Sequence, residues 1–146
     1  QKMTNVKKFN VNEEGLNRFF GPLEAKIMNI LWLSDGMSIK DVQSILNQES
    51  PISFNTVMTV MNRLLEKGHL SKDTRGKGRN RVTVFEPVQT KEQFLHVQTK
   101  AVTDGLIQEF GDLVVGHMID ALEDADSELI NKLSDKLNQL KSRKDL

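Results

Sequence analysis

The sequence contains no cysteine. That absence excludes a disulfide scaffold, thiolate metal centres, thiol catalysis and iron–sulfur chemistry together. Net charge is lacking too: 20 basic side chains balance 20 acidic ones, so the gross charge points to no partner. No apolar run approaches the roughly 20 residues that span a bilayer, and membrane insertion is not expected. The opening Gln1-Lys2-Met3-Thr4 has no apolar core of the kind a secretory signal carries. A soluble, cytoplasmic protein is expected. Hydrophobic residues make up only 38 %, low for a globule yet above the disordered class. A chain of 146 residues suffices for one domain or two very small ones.

Chemistry-bearing constellations are also scarce. His69, His96 and His117 stand too far apart for a metal motif. Gly76-Lys77-Gly78 has neither the preceding glycine spacing nor the following Ser/Thr of a phosphate loop. Asp120, Glu123, Asp124, Asp126 and Glu128 suggest calcium, but Leu129 occupies the place where a loop starting at Asp124 needs glycine. No nucleophile–base pair is legible. No catalytic residue, metal site or cofactor is assigned, and an enzyme is not expected.

What is present is an asymmetry hidden by the zero sum. Residues 1–90 carry 13 basic and 9 acidic side chains, whereas residues 91–146 carry 7 and 11. The excess sharpens between Arg63 and Arg81, where seven cations face only Glu66 and Asp73. A basic half joined to an acidic half suits a polyanion-binding module attached to something else.

The periodicity gives that module a shape. Residues 1–20 are polar without sustained period and read as a mobile arm. Gly21-Pro22 opens a first helix, with Leu23, Ile27, Ile30 and Leu31 on its apolar side and Trp32 and Leu33 closing that face. Ser38 caps a second, whose buried stripe is Val42, Ile45 and Leu46 after Ile39. Ser53 caps a third, with Val57, Val60, Met61, Leu64 and Leu65, ending at Gly68. Leu70–Asp73 and Arg81–Phe85 read as strands around a glycine-containing basic tip. Thr90 and Gln93 form a capping box opening a helical remainder. Gly111 and Gly116 are expected weak points there. Ser127 is expected to cap a last helix whose Ile130, Leu133, Leu137 and Leu140 repeat at 3-4-3 spacing.

Three short helices and a basic-tipped hairpin follow the order of a winged helix-turn-helix. The expected class is mainly α (α+β), with a helical dimerisation domain after the winged helix. The major groove admits one helix whose outward side chains read base edges. Opposite its apolar stripe, the third helix presents Asn55, Thr56, Thr59, Asn62 and Arg63 as base-reading candidates. Lys67, Arg75, Lys77, Arg79 and Arg81 are candidates for the DNA backbone. Phe110, Ile130, Leu133, Leu137 and Leu140 are candidates for dimerisation. A helix face of Thr, Asn and Arg also suits plain solvation, and winged helices serve as protein adaptors too. The adaptor reading therefore stands as the alternative, separable by the salt dependence of DNA binding.

Gly21-Pro22-Leu23-Glu24-Ala25-Lys26-Ile27-Met28-Asn29-Ile30-Leu31-Trp32 resembles the first helix of the BlaI/MecI/CopY family of penicillinase-type repressors. The stretch from Thr56 to Gly68 resembles that family's recognition helix. The resemblance covers about residues 21–90. It implies a homodimeric repressor that binds a palindromic double-stranded operator with a TACA/TGTA-type core, and control of genes of the β-lactam-resistance type. It also places DNA contacts at Asn55, Thr56, Thr59 and Arg63. Two departures bear on release from DNA. The copper-responsive members' cysteine cluster has no counterpart here, and no Asn-Phe bond, the cleavage site of the antibiotic-responsive members, occurs in the chain. The expected domains are an arm at 1–20, a winged helix at 21–88 and a dimerisation domain at 89–146.

Overall fold

The computed structural model describes residues 8–144. A 3-10 turn at Gly15–Arg18 leads into helices α1 (Pro22–Trp32), α2 (Ile39–Glu49) and α3 (Phe54–Glu66). Strands β1 (Leu70–Arg75) and β2 (Val82–Pro87) follow, then α4 (Lys91–Ala121), a 3-10 turn at Leu122–Asp124 and α5 (Ser127–Arg143). The chain divides into two compact units, one ending at Val102 and one beginning at Thr103. The first is a winged helix-turn-helix.

Local chemistry sets each boundary in that unit. Pro22 supplies the fixed φ of the first turn of α1, and Glu24 Oε1 accepts the Gly21 N–H at 3.1 Å. Ser38 Oγ accepts the Asp41 N–H at 3.1 Å and so caps α2. Ser53 Oγ accepts the Thr56 N–H at 3.1 Å and caps α3. The other end of α3 closes through Gly68, whose φ of 83° places it in the left-handed region. Its N–H donates to Leu65 O at 3.0 Å, and the next N–H, of His69, donates to Leu64 O at 2.9 Å. Those paired bonds satisfy carbonyls the helix would otherwise leave open.

Strands β1 and β2 pair antiparallel, with Leu70 opposite Pro87 and Arg75 opposite Val82. The α1–α2 connection adds a rung: Met37 N donates to Phe85 O at 3.0 Å, and Phe85 N donates to Met37 O at 2.8 Å. This rung ties the hairpin to the helices through backbone bonds that carry no side-chain signature.

The core of this unit contains Ile27, Met28 and Leu31 of α1, Val42 of α2, and Val57, Met61 and Leu64 of α3. Each such side chain, fully removed from water, contributes about 1.5–3 kcal/mol before chain entropy is set against it. Two expected members of the apolar faces lie outside. Leu33 has left the helical backbone at the end of α1 and is 92 % exposed. Ile45 sits at the solvent edge of the α2 stripe and is also exposed.

The expected arm differs more. Phe19 and Phe20 are buried. Phe20 stacks on Phe94 with centroids 5.0 Å apart, while Phe19 meets Phe94 edge-on at 5.9 Å and Phe9 at 5.5 Å. Two adjacent aromatic rings offer far more burial than the polar residues around them oppose. Residues 1–7 of that arm lie outside the described residues. The same cluster carries the unit past residue 88. Phe94 and Gln98 are buried at the start of α4, and Trp32 Nε1 donates to Gln89 O at 3.0 Å. Thr90 and Gln93 form the reciprocal cap, at 2.9 and 3.1 Å.

In the second unit, the backbone of α4 is non-helical at Gly111 (φ 11°, ψ −88°), whereas Gly116 lies within the helix. Asp126, not Ser127, caps α5: its carboxylate accepts the Leu129 N–H at 2.8 Å. A carboxylate there also meets the positive end of the helix dipole, which favours it over the neighbouring hydroxyl. No described side chain from 103 to 144 is buried. Phe110, Ile130, Leu133 and Leu137 are exposed, and Leu140 is half-buried.

Candidate nucleic-acid interface

The outward face of α3 follows from its buried one. At about 100° per residue, Val57, Val60, Met61 and Leu64 form one side, all buried. Asn55, Thr59 and Asn62 then fall opposite, with Thr56 and Arg63 on one flank. Asn55, Thr56, Thr59 and Arg63 are exposed, and Asn62 is half-buried. The structure thus brings the five expected base-reading residues together on one helix.

Two of the hydroxyls are held by the helix itself. Thr59 Oγ1 donates to Asn55 O at 2.8 Å, and Thr56 Oγ1 lies 2.8 Å from Ser53 Oγ. Both oxygens retain lone pairs that can accept, and each side chain carries a methyl group. Arg63 makes no ion pair among the described residues, so its five N–H donors need no partner displaced.

The expected backbone-contacting set separates into two groups. Lys77, Arg79 and Arg81 are exposed around the hairpin tip. The tip is shaped by Gly76, with φ 89°, where a Cβ would collide with the Asn80 carbonyl oxygen. Arg75 instead folds back along the hairpin: its Nη2 lies 3.7 Å from Glu86 Oε2 and 3.3 Å from where a Cβ on Gly36 would sit. Lys67 likewise turns inward, with Nζ 3.0 Å from Glu24 Oε2, joining the end of α3 to the start of α1. Both pairs are partly exposed, and such pairs are worth about 0–1 kcal/mol. Neither Glu24 nor Glu86 stood out in the sequence, because pairing across 43 or 11 positions has no local spacing.

The shifted titrations of this unit are those of His69 and Glu24. The imidazole is buried, edge-on to Phe20 at 5.2 Å and to Phe94 at 6.0 Å. Its Nδ1 has no hydrogen-bond partner among the described residues. Burial, helped by the Lys67 ammonium, holds its pKa below the ordinary imidazole value, with Glu24 pulling the other way. Burial alone would raise the Glu24 carboxyl. The Gly21 N–H, Lys67 and His69 outweigh that and hold it below the ordinary carboxylate range. His96 and His117 are exposed on α4, well separated in sequence, and among the described residues no three His, Asp or Glu side chains are grouped to hold a metal ion.

The model of the penicillinase repressor family matches residues 20–139. The chain belongs to the penicillinase repressor family. The family match runs from Phe20 through the hairpin and most of α5, well beyond the residue-90 limit of the sequence resemblance. No curated protein sequence matches the chain significantly. Solved structures that resemble it include a MarR/EmrR family transcriptional regulator from Acinetobacter sp. ADP1, at 16 % identity and TM-score 0.44, covering 89 % of this chain and 81 % of that one. Bacillus subtilis PadR in complex with operator DNA aligns at 16 % identity and TM-score 0.44, over 84 % of this chain and 76 % of that one. A mutant of Lactococcus lactis ZitR aligns at 14 % identity and TM-score 0.43, over 94 % and 85 %. Among the described residues, no helix is long and apolar enough to cross a membrane.

Proposed function

We propose that this penicillinase repressor family member is a homodimer that represses transcription by binding a palindromic operator. Helix α3 enters the major groove, where Asn55, Thr56, Thr59, Asn62 and Arg63 read base edges. Lys77, Arg79 and Arg81 grip the backbone or the adjoining minor groove. Lys67 and Arg75, paired with Glu24 and Glu86, keep further N–H donors with which to join them. The observation that carries this reading is the polar face of α3, exposed opposite a fully buried stripe and followed by a hairpin with an exposed cationic tip.

Dimerisation rests on the second unit. Ile130, Leu133 and Leu137 of α5 stay exposed although they recur at helical spacing, and Phe110 of α4 is exposed too, which leaves apolar faces for a second copy to cover. Two copies related by a two-fold axis would meet an inverted repeat with half-sites about one helical turn, or a multiple of it, apart. A core of the TACA/TGTA type and control of β-lactam-resistance genes follow from the family resemblance. The test is selection from a randomised duplex library with the full chain. Enrichment of an inverted repeat bound by two protomers is the expected result. No enrichment, with binding equal on all duplexes or absent, would reject sequence-specific repression and favour the protein adaptor.

A further inference from the structure

Phe54 lies outside the buried core of the first unit. It is the first residue of α3, directly after the Ser53 cap, and the residue is 43 % exposed. The position is firmly held. Ser53 Oγ accepts the Thr56 N–H, while α2 clamps Ile52 from both sides: Asn47 Oδ1 accepts its N–H at 2.8 Å, and Gln43 Nε2 donates to its carbonyl at 3.1 Å. A large apolar ring on a fixed helix start forgoes part of the burial that would stabilise the fold.

Its place around the helix gives that exposure a use. At about 100° per residue, Phe54 and Met58 fall on the flank of the polar face opposite Thr56 and Arg63. Met58 is half-buried, so Phe54 supplies the exposed apolar edge. A recognition helix brings its N-terminal residues closest to the base edges. The thymine C5-methyl is the apolar group those edges offer in the major groove, and a phenyl ring is among the side chains that pack on it.

We propose that Phe54 is a further specificity-determining residue, packing its ring against one thymine C5-methyl in each half-site. The proposal rests on α3 lying in the major groove. It adds an apolar contact at one edge of the helix to the hydrogen-bonding residues beside it. A hydrogen-bonding side chain reads donors and acceptors, whereas this ring distinguishes thymine from the same base without its methyl.

The experiment replaces each thymine of the selected operator by deoxyuridine in turn and titrates wild type, Phe54→Ala and Arg63→Ala. Phe54→Ala keeps the Ser53 cap and removes a side chain that is 43 % exposed, so the variant should remain folded with a modest fall in its thermal midpoint. Wild type should bind about fourfold more weakly when the methyl at one position of a half-site is removed, the scale of one buried methyl group. Phe54→Ala should bind the unmodified operator more weakly and show no further loss at that position. Wild-type indifference to every deoxyuridine, or an undiminished loss in Phe54→Ala, overturns the Phe54 assignment. If Arg63→Ala still loses sequence preference in that case, the groove reading stands without Phe54. If wild type discriminates no sequence at all, both fall together.

Discussion

Single residues here act through backbone sterics and burial. Gly76 combines a φ of 89° with an approach to the Asn80 carbonyl that leaves no room for a Cβ. Gly76→Ala should therefore destabilise the hairpin by about 1 kcal/mol or more and displace its cationic tip. Denaturant titration and operator affinity would check this, and an equally stable protein with unaltered affinity would contradict it. The need for glycine in that turn was legible in sequence; the environment of His69 was not. Its ring packs against Phe20 and Phe94, which are distant in the chain, and its charge environment is set by Lys67 and Glu24, which meet only after α1 and α3 pack. Because the folded-state pKa of His69 is lowered, the unfolded chain takes up the proton first. Stability should be full above the ordinary imidazole value near 6.5 and fall as pH drops below it. Glu24, also lowered, should add a further loss once pH falls below the ordinary carboxylate range. Denaturation midpoints at pH 7.5 and pH 5.5, for wild type and His69→Gln, would show the first effect. A variant that loses stability over that interval as steeply as wild type would contradict it.

Among the elements, those with local signals were the readable ones. Ser38, Ser53 and the Thr90–Gln93 box are chemistry within three residues, and the structure places each at the helix start read from sequence. The Gly68 stop of α3 is equally local. The Phe19–Phe20 contribution and the Met37–Phe85 rung were not readable, because the first depends on a partner in α4 and the second is backbone alone. Asp126 displaced Ser127 as the α5 cap because two adjacent residues were both competent and charge favoured the acid. The α3 cap separates folding from recognition. Ser53→Ala should cost about 0.5–2 kcal/mol and loosen Thr56, whose hydroxyl it holds. Ser53→Asp should preserve the cap and the favourable helix-end charge, yet weaken operator binding by placing an anion beside DNA phosphates. Equal loss of stability in both variants, by thermal denaturation, would contradict the capping argument. Tighter operator binding by Ser53→Asp would contradict the placement of the α3 start at DNA.

For the whole molecule, the sequence suggested a boundary near residue 88, whereas the first compact unit continues to Val102. The helical period runs smoothly through that stretch, so only the packing of Phe94 and Gln98 reveals the difference. The apolar spacing of Ile130, Leu133, Leu137 and Leu140 was visible, and among the described residues the first three stay exposed and Leu140 is half-buried. Leu133→Asp with Leu137→Asp should convert a dimer to monomers while the first unit keeps its helical signal. Operator affinity should fall sharply, since each half-site must then be bound alone. Sedimentation of an unchanged dimer would reject this seam.

In the proposed complex α3 reads sequence while the hairpin tip holds the backbone. The most direct measurement titrates wild type, Arg63→Ala and Lys77→Ala against the selected operator and a scrambled duplex over a range of salt concentrations. Arg63→Ala should lose about 1–3 kcal/mol on the operator, with relaxed preference at one position. Lys77→Ala should weaken both duplexes alike and reduce the salt slope by about one. A folded Arg63→Ala that binds the operator as wild type does, or a Lys77→Ala that loses only sequence preference, would contradict the account.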